Sequence, residues 1–124
     1  MKNYYTPDRN DIAWIDFEPT KGKEIGKYRP ALILSSKKYN LENSLVICCA
    51  ISTSIRNKLS EVMVNNLDQP SVVTASMVHT ISWKTRNTKF ITTAEDGVMT
   101  AVLQRLIPLI GADKILLESV GLSR

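Results

Sequence analysis

Histidine is nearly missing from this 124-residue sequence: His79 is the only one, and the only cysteines are the adjacent pair Cys48 and Cys49. Three such residues cannot assemble a zinc site of the usual nitrogen and sulfur ligands, and a two-histidine acid–base pair is impossible. Neighbours on a strand point to opposite faces, so Cys48 and Cys49 are poorly placed to bridge and read as reduced structural thiols. No run of 18 apolar residues and no charged, apolar leader is present, so the sequence suggests a cytoplasmic protein with no membrane partner. Internal repeats, linkers and low-complexity tracts are also missing. One domain spanning residues 1–124 is expected, large enough to bury about two-thirds of its unfolded surface with no metal or cofactor to help it.

Charge is plentiful but unevenly spread. Sixteen Lys and Arg stand against twelve Asp and Glu, a net charge of +4. Nine of those cations, Lys21, Lys23, Lys27, Arg29, Arg56, Lys58, Lys84, Arg86 and Lys89, fall in three short segments whose only acid is Glu24. Brought together by the fold, these segments form a surface that can track a phosphate backbone; kept apart, they are solvated loops. The longest concentration, "GKEIGKYRP" at 22–30, also carries two glycines. Connections of that length are functional or disordered.

Short runs rich in β-formers at 11–17, 31–36, 45–51, 60–65 and 72–83 predict five strands, and 89–93 a sixth. The period then changes. Val98, Val102, Leu103, Leu106 and Ile110 recur at helical spacing, with Thr93 as the expected N-cap and Asp96 three positions on. Pro108 should kink or stop this helix near Leu106 or Ile107, Gly111 should close the turn, and residues 112–120 form a short final helix. A small bent antiparallel sheet or barrel with packed helices follows.

Residues 10–40, "NDIAWIDFEPTKGKEIGKYRPALILSSKKYN", carry Asp11 to Trp14, Asp16 to Pro19, Gly22 to Glu24, Arg29 with Pro30, and Tyr39 with Asn40. Together with "AISTS" at 50–54, "EVMV" at 61–64 and "ISWKTR" at 81–86, this pattern resembles the MazF/PemK-like toxins of type II toxin–antitoxin systems, from about residue 10 to about residue 111. The resemblance implies a mainly β fold with C-terminal helices, an SH3-like small barrel of five to seven antiparallel strands of the MazF/PemK/CcdB kind. It implies a homodimer that cleaves single-stranded messenger RNA at short specific sequences without a metal, leaving 2′,3′-cyclic phosphate and 5′-hydroxyl ends. A cognate antitoxin would bind in the same groove through its C-terminal segment, and DNA would be met only through that partner. The family's catalytic arginine matches Arg29 and its catalytic threonine aligns with Ser52. The sequence departs from the family at Asn10, Ile25, Ser52, Ser76 and Met77.

Internal transesterification needs a base for the 2′ proton, charge stabilisation at phosphorus and protonation of the departing 5′ oxygen. Arg29 offers a planar, permanently charged fork suited to phosphate, and Pro30 restrains its backbone. Glu24, alone among cations, is either the proton acceptor, a ribose contact or a solvated loop acid. Ser52 offers a hydroxyl, and Thr53 presents another on the opposite face. Lys21, Lys23, Lys27, Tyr28, Thr53, Arg56, Lys58, Lys84 and Arg86 are the expected RNA contacts. Trp83 is a stacking platform or, more in keeping with the alternation of Val73, Ala75, Met77 and Ile81, core. His79 on that face reads as a buried or interface residue unless a bulge reverses the alternation. Two rival readings use the same barrel: a catalytically weak RNA- or protein-binding module, and a gyrase-directed poison. The latter acts through an aromatic C-terminal end, which Gly121-Leu122-Ser123-Arg124 does not provide.

Overall fold

A computed structural model describes residues 5–18 and 27–121. In chain order the elements are β1 (Asp11–Asp16), β2 (Tyr28–Ile33), α1 (Lys37–Asn43), β3 (Leu45–Ser52), β4 (Glu61–Val64), β5 (Ser71–Ser82), β6 (Lys89–Thr93), α2 (Val98–Leu109) and α3 (Ala112–Ser119). The strands form one antiparallel sheet, ordered β4-β5-β3-β2-β1-β6, curled into a half-barrel with the helices following it. The six strands and C-terminal helices agree with the expected fold class. None of the described helices is long and apolar enough to cross a membrane.

Because the central strands are apolar on both faces, each face has its own core. One gathers Ile12, Leu32, Cys49, Ile51, Val64 and Val73 beneath Val98 and Val102 of α2. The other gathers Ile15, Phe17, Ala31, Ile33, Cys48, Ala50 and Trp83. At the open side of the half-barrel, the Asn66 amide donates to the Thr93 carbonyl at 2.9 Å, and the Asn65 N–H donates to the Glu95 carboxylate at 2.6 Å. These bonds tie the β4–β5 connection to the end of β6.

The helix α1 was not anticipated. Ser36 caps it by accepting from the Tyr39 N–H at 3.2 Å, and Ser44 ends it in the left-handed region at φ 52°. Its Asn40, fully buried, donates to the carbonyls of Pro7 and Ser35, and accepts from the Ser35 hydroxyl and, at its backbone carbonyl, from the Trp83 indole N–H at 2.9 Å. Buried polar groups are tolerated when so satisfied. The Tyr39-Asn40 pair is therefore a structural knot.

Three boundaries differ from expectation. The second strand starts at Tyr28 instead of residue 31, which sets Arg29 inside it. Its ladder with β3 begins only at Ala31, beside Pro30, which has no N–H to donate. Thr93 stays in β6 and caps nothing; α2 begins after Gly97, whose φ of 92° suits glycine. Pro108 does not stop the helix, which continues to Leu109, and Gly111 closes it as expected, its N–H donating to the Pro108 carbonyl at 3.1 Å.

Candidate active site

Sheet register brings the two residues expected at the reaction centre together. β2 and β3 pair through Ala31↔Ala50, Leu32↔Cys49 and Ile33↔Cys48. Carried two residues further, the same register sets Arg29 opposite Ser52. Ala31 and Ala50 belong to the core on the Phe17 side, so strand alternation turns Arg29 and Ser52 toward that face. Thr53 and Pro30 turn to the opposite face, where both line a cavity. Only one of the two adjacent hydroxyls therefore shares a face with Arg29. The Ser52 Oγ accepts from the Ser54 N–H at 3.0 Å, which leaves its own proton available to a ligand.

The neck of the charged loop is closed by three bonds. Phe17 N–H donates to the Lys27 carbonyl at 2.9 Å, Lys27 N–H to the Glu18 carboxylate at 2.7 Å, and Glu18 N–H to the Asp16 carboxylate at 2.9 Å. Lys27 itself lies at φ 72°. Lys21, Lys23 and Glu24 lie outside the described residues.

Arg86 ties this neck to the β5–β6 turn. Its Nη1 donates to the carbonyls of Asp16 at 2.9 Å and Glu18 at 3.1 Å, and its own carbonyl accepts from the Asp16 N–H at 2.9 Å. The Tyr28 hydroxyl adds a bond to the Asn87 carbonyl at 2.8 Å. Through Nη1, Arg86 thus clamps the loop that leads to Arg29. Arg86→Ala should slow cleavage at saturating RNA by about 10²-fold, since misplaced reacting groups carry costs of that order. The salt dependence of RNA binding should stay unchanged, whereas loss of a phosphate contact would flatten its slope by about one unit. A salt titration of binding, run beside single-turnover cleavage, separates the two roles.

Tyr28 does not face Arg29. It stacks on Trp14 with ring centroids 5.3 Å apart and 21° between planes, and burial, then Asp16, raises the pKa of its phenol above the ordinary value. A phenol held protonated is a donor, not a base. Arg56 and Lys58 are exposed in the β3–β4 connection, which Glu61 organises by accepting from both of their N–H groups. Lys84 is exposed, with its ammonium 5.6 Å from the Trp83 ring centre. Trp83 is 2 % exposed and is core, so it offers no stacking platform.

The bulge that sequence alternation could not locate lies in β5. Pairing with β3 shifts between Cys49↔Val78 and Ile51↔Val73, so Val73 and Ala75 enter one core while Ile81 and Trp83 enter the other. The alternation is reversed, and His79, opposite Cys48, is carried to the face of Arg29 and Ser52. There its ring meets Phe17 edge-on at 5.1 Å. Four residues of strand separate Cys48 from Ser52, about 13 Å, so His79 does not reach the Ser52 hydroxyl. Both cysteines are free and buried, and burial raises the two thiols, Cys49 to about 12, so neither is a nucleophile at neutral pH.

Comparison with known proteins agrees with this arrangement. Residues 8–110 match the family described as "PemK-like, MazF-like toxin of type II toxin-antitoxin system". The endoribonuclease toxin MazF of Escherichia coli (strain K12) is 35% identical over 86 residues, covering 69% of this chain and 78% of that protein. The crystal structure of MazF (Form-I) from Deinococcus radiodurans superposes with a TM-score of 0.83 at 30% identity, over 87% of this chain and 99% of that one. A MazE-MazF structure (Form-II) from the same organism gives 0.77 at 30% identity, over 87% and 98%. With most of its length inside the family match and a MazF relative 35% identical over 86 residues, the chain belongs to the PemK-like, MazF-like toxins of type II toxin–antitoxin systems.

Proposed function

We propose that this chain is an endoribonuclease toxin that cuts single-stranded messenger RNA by attack of an internal 2′-hydroxyl on the adjacent phosphate. The observation that supports the reading is the β2–β3 ladder ending at Ala31↔Ala50, whose register, extended two residues, would set Arg29 and Ser52 on one face. The bond between phosphorus and the 5′ oxygen breaks as the 2′ oxygen bonds to phosphorus, and the departing 5′ oxygen takes a proton from water, leaving a 2′,3′-cyclic phosphate and a 5′-hydroxyl. Negative charge grows on the phosphorane oxygens, where the Arg29 guanidinium offers paired donors and fixed positive charge. Ser52, already accepting from Ser54, donates a hydrogen bond from its hydroxyl to one of those oxygens. Glu24 is assigned the 2′ proton, and the lysines of its loop, with Arg56, Lys58 and Lys84, hold flanking phosphates.

The active form is proposed to be a homodimer. Leu109, Ile110, Ile115, Leu116 and Val120 are exposed apolar side chains in and after the last two helices, surface beyond what one core needs. The antitoxin is proposed to compete with RNA by laying an acidic C-terminal segment in the same cationic groove. The Deinococcus relative solved as a MazE-MazF complex supports such a partner. Among the described residues, His, Cys, Asp and Glu nowhere gather in groups of three that could hold a metal ion. Cleavage of a long unstructured RNA should therefore persist in excess EDTA and give cyclic phosphate ends. Activity abolished by EDTA and restored by magnesium would reject this chemistry.

A further inference from the structure

The geometry points to a nucleobase subsite on the side of the sheet away from Arg29, in the cavity between Trp14, Pro30, Thr53 and the β4–β5 connection. The inference rests on the ribonuclease reading and extends it to sequence preference. The cavity holds about 450 Å³, within the usual range for small-molecule sites and roomy for one base. Its floor is apolar: Leu67 and Ile91 line it and pack against the core under α2. Trp14, 37 % exposed, forms a wall. Tyr28 stacks on that indole and holds its plane. Asn66, Asp68 and Gln69 supply hydrogen-bonding groups at the rim. An apolar floor, a flat aromatic wall and a polar rim match the two faces and the edge of a base.

Position relative to the reaction centre favours a base of the substrate over a free metabolite. β2 starts and β3 ends at the same edge of the sheet, and Thr53 follows Ser52 with its Cα about 3.8 Å away. A strand of RNA crossing that edge has its scissile phosphate on the Arg29 face and a neighbouring base on the Thr53 face. Lys89 pairs with Trp14 across β1 and β6, on the cavity's side of the sheet, where it can hold the phosphate of that neighbour. Among the described residues, Asp68 is the only charged side chain lining the cavity, which disfavours a phosphate inside and favours a base that donates. A carboxylate accepts and cannot donate. Asn66 uses one of its two amide N–H groups on Thr93, and its carbonyl oxygen remains as a second acceptor. Two neighbouring acceptors favour cytosine, adenine or guanine, whose exocyclic amino group offers two N–H donors, over uracil, which offers one.

The test sequences the ends that the protein and its Asp68→Asn variant generate from a randomised RNA pool. Tryptophan quenching by CMP and by UMP is measured on the same two proteins. With Trp83 buried, Trp14 is the fluorophore a ligand can reach. The subsite predicts one flanking position depleted in uracil, and the variant should lower that discrimination roughly tenfold there and nowhere else. CMP should quench more strongly than UMP, and the difference should vanish in the variant. Identical base profiles from both proteins overturn the subsite while the ribonuclease reading stands. That outcome also holds if the cavity receives only a side chain of the antitoxin. Absence of any cutting by the unaltered protein defeats the ribonuclease reading; quenching by CMP that Asp68→Asn removes then still upholds a base pocket, and absence of quenching overturns it.

Discussion

Arg29→Ala lowers the single-turnover cleavage rate by about 10² to 10³ in a protein that remains folded. Removing one preorganised donor to developing charge typically costs that much, and this donor is also a cation. The fold should survive, because Arg29 is only partly buried and its neighbours in register, Ile15 on β1 and Ala31 in β2, retain their pairing. Lysine should rescue poorly: it restores charge but not the planar pair of donors. The measurement is rapid-mixing cleavage of a long unstructured RNA at saturating protein, with circular dichroism to confirm folding. A folded Arg29→Ala protein with full activity removes the proposed reaction centre.

What made this centre readable in the sequence was short-range. The runs at 11–17 and 45–51 are apolar on both faces, which only a strand covered on both sides requires, and β1 and β3 fall there within a residue. Arg29-Pro30 and Ser52 stand near strand ends in the sequence as in the fold. What remained hidden depends on pairing partners. The register shift opposite Cys49 and Ile51 changes the facing of half of β5 without any Gly or Pro to announce it, so Val73 and Trp83 were assigned one face and occupy two. The helix α1 has seven residues, too few for helical periodicity to register, and is held by its Ser36 cap and the buried Asn40. Arg86 is a cation in a basic segment, indistinguishable by composition from a phosphate ligand. Only the carbonyls of Asp16 and Glu18, some seventy residues away in sequence, define it as a clamp.

The same dependence on facing separates Ser52 from Thr53, and mutation can test it sharply. Ser52→Ala should lose most of its activity, about 10²-fold, because it deletes the hydroxyl proposed to donate to the phosphorane beside Arg29. Stability should fall little. The hydroxyl accepts from the exposed Ser54 N–H, a bond whose net worth is about 0.5 to 1.5 kcal/mol. Ser52→Thr should remain active, since threonine keeps the oxygen and its branched Cβ suits the end of a strand. Thr53→Ala should leave the chemical step far less affected than Ser52→Ala, because alternation turns that side chain through the sheet to the cavity. Rates for the three variants on one RNA of defined sequence, with product ends identified as cyclic phosphate, decide the matter. Normal cleavage by Ser52→Ala together with loss in Thr53→Ala would assign the hydroxyl to Thr53 and require the RNA to react on the cavity side, where Arg29 does not face.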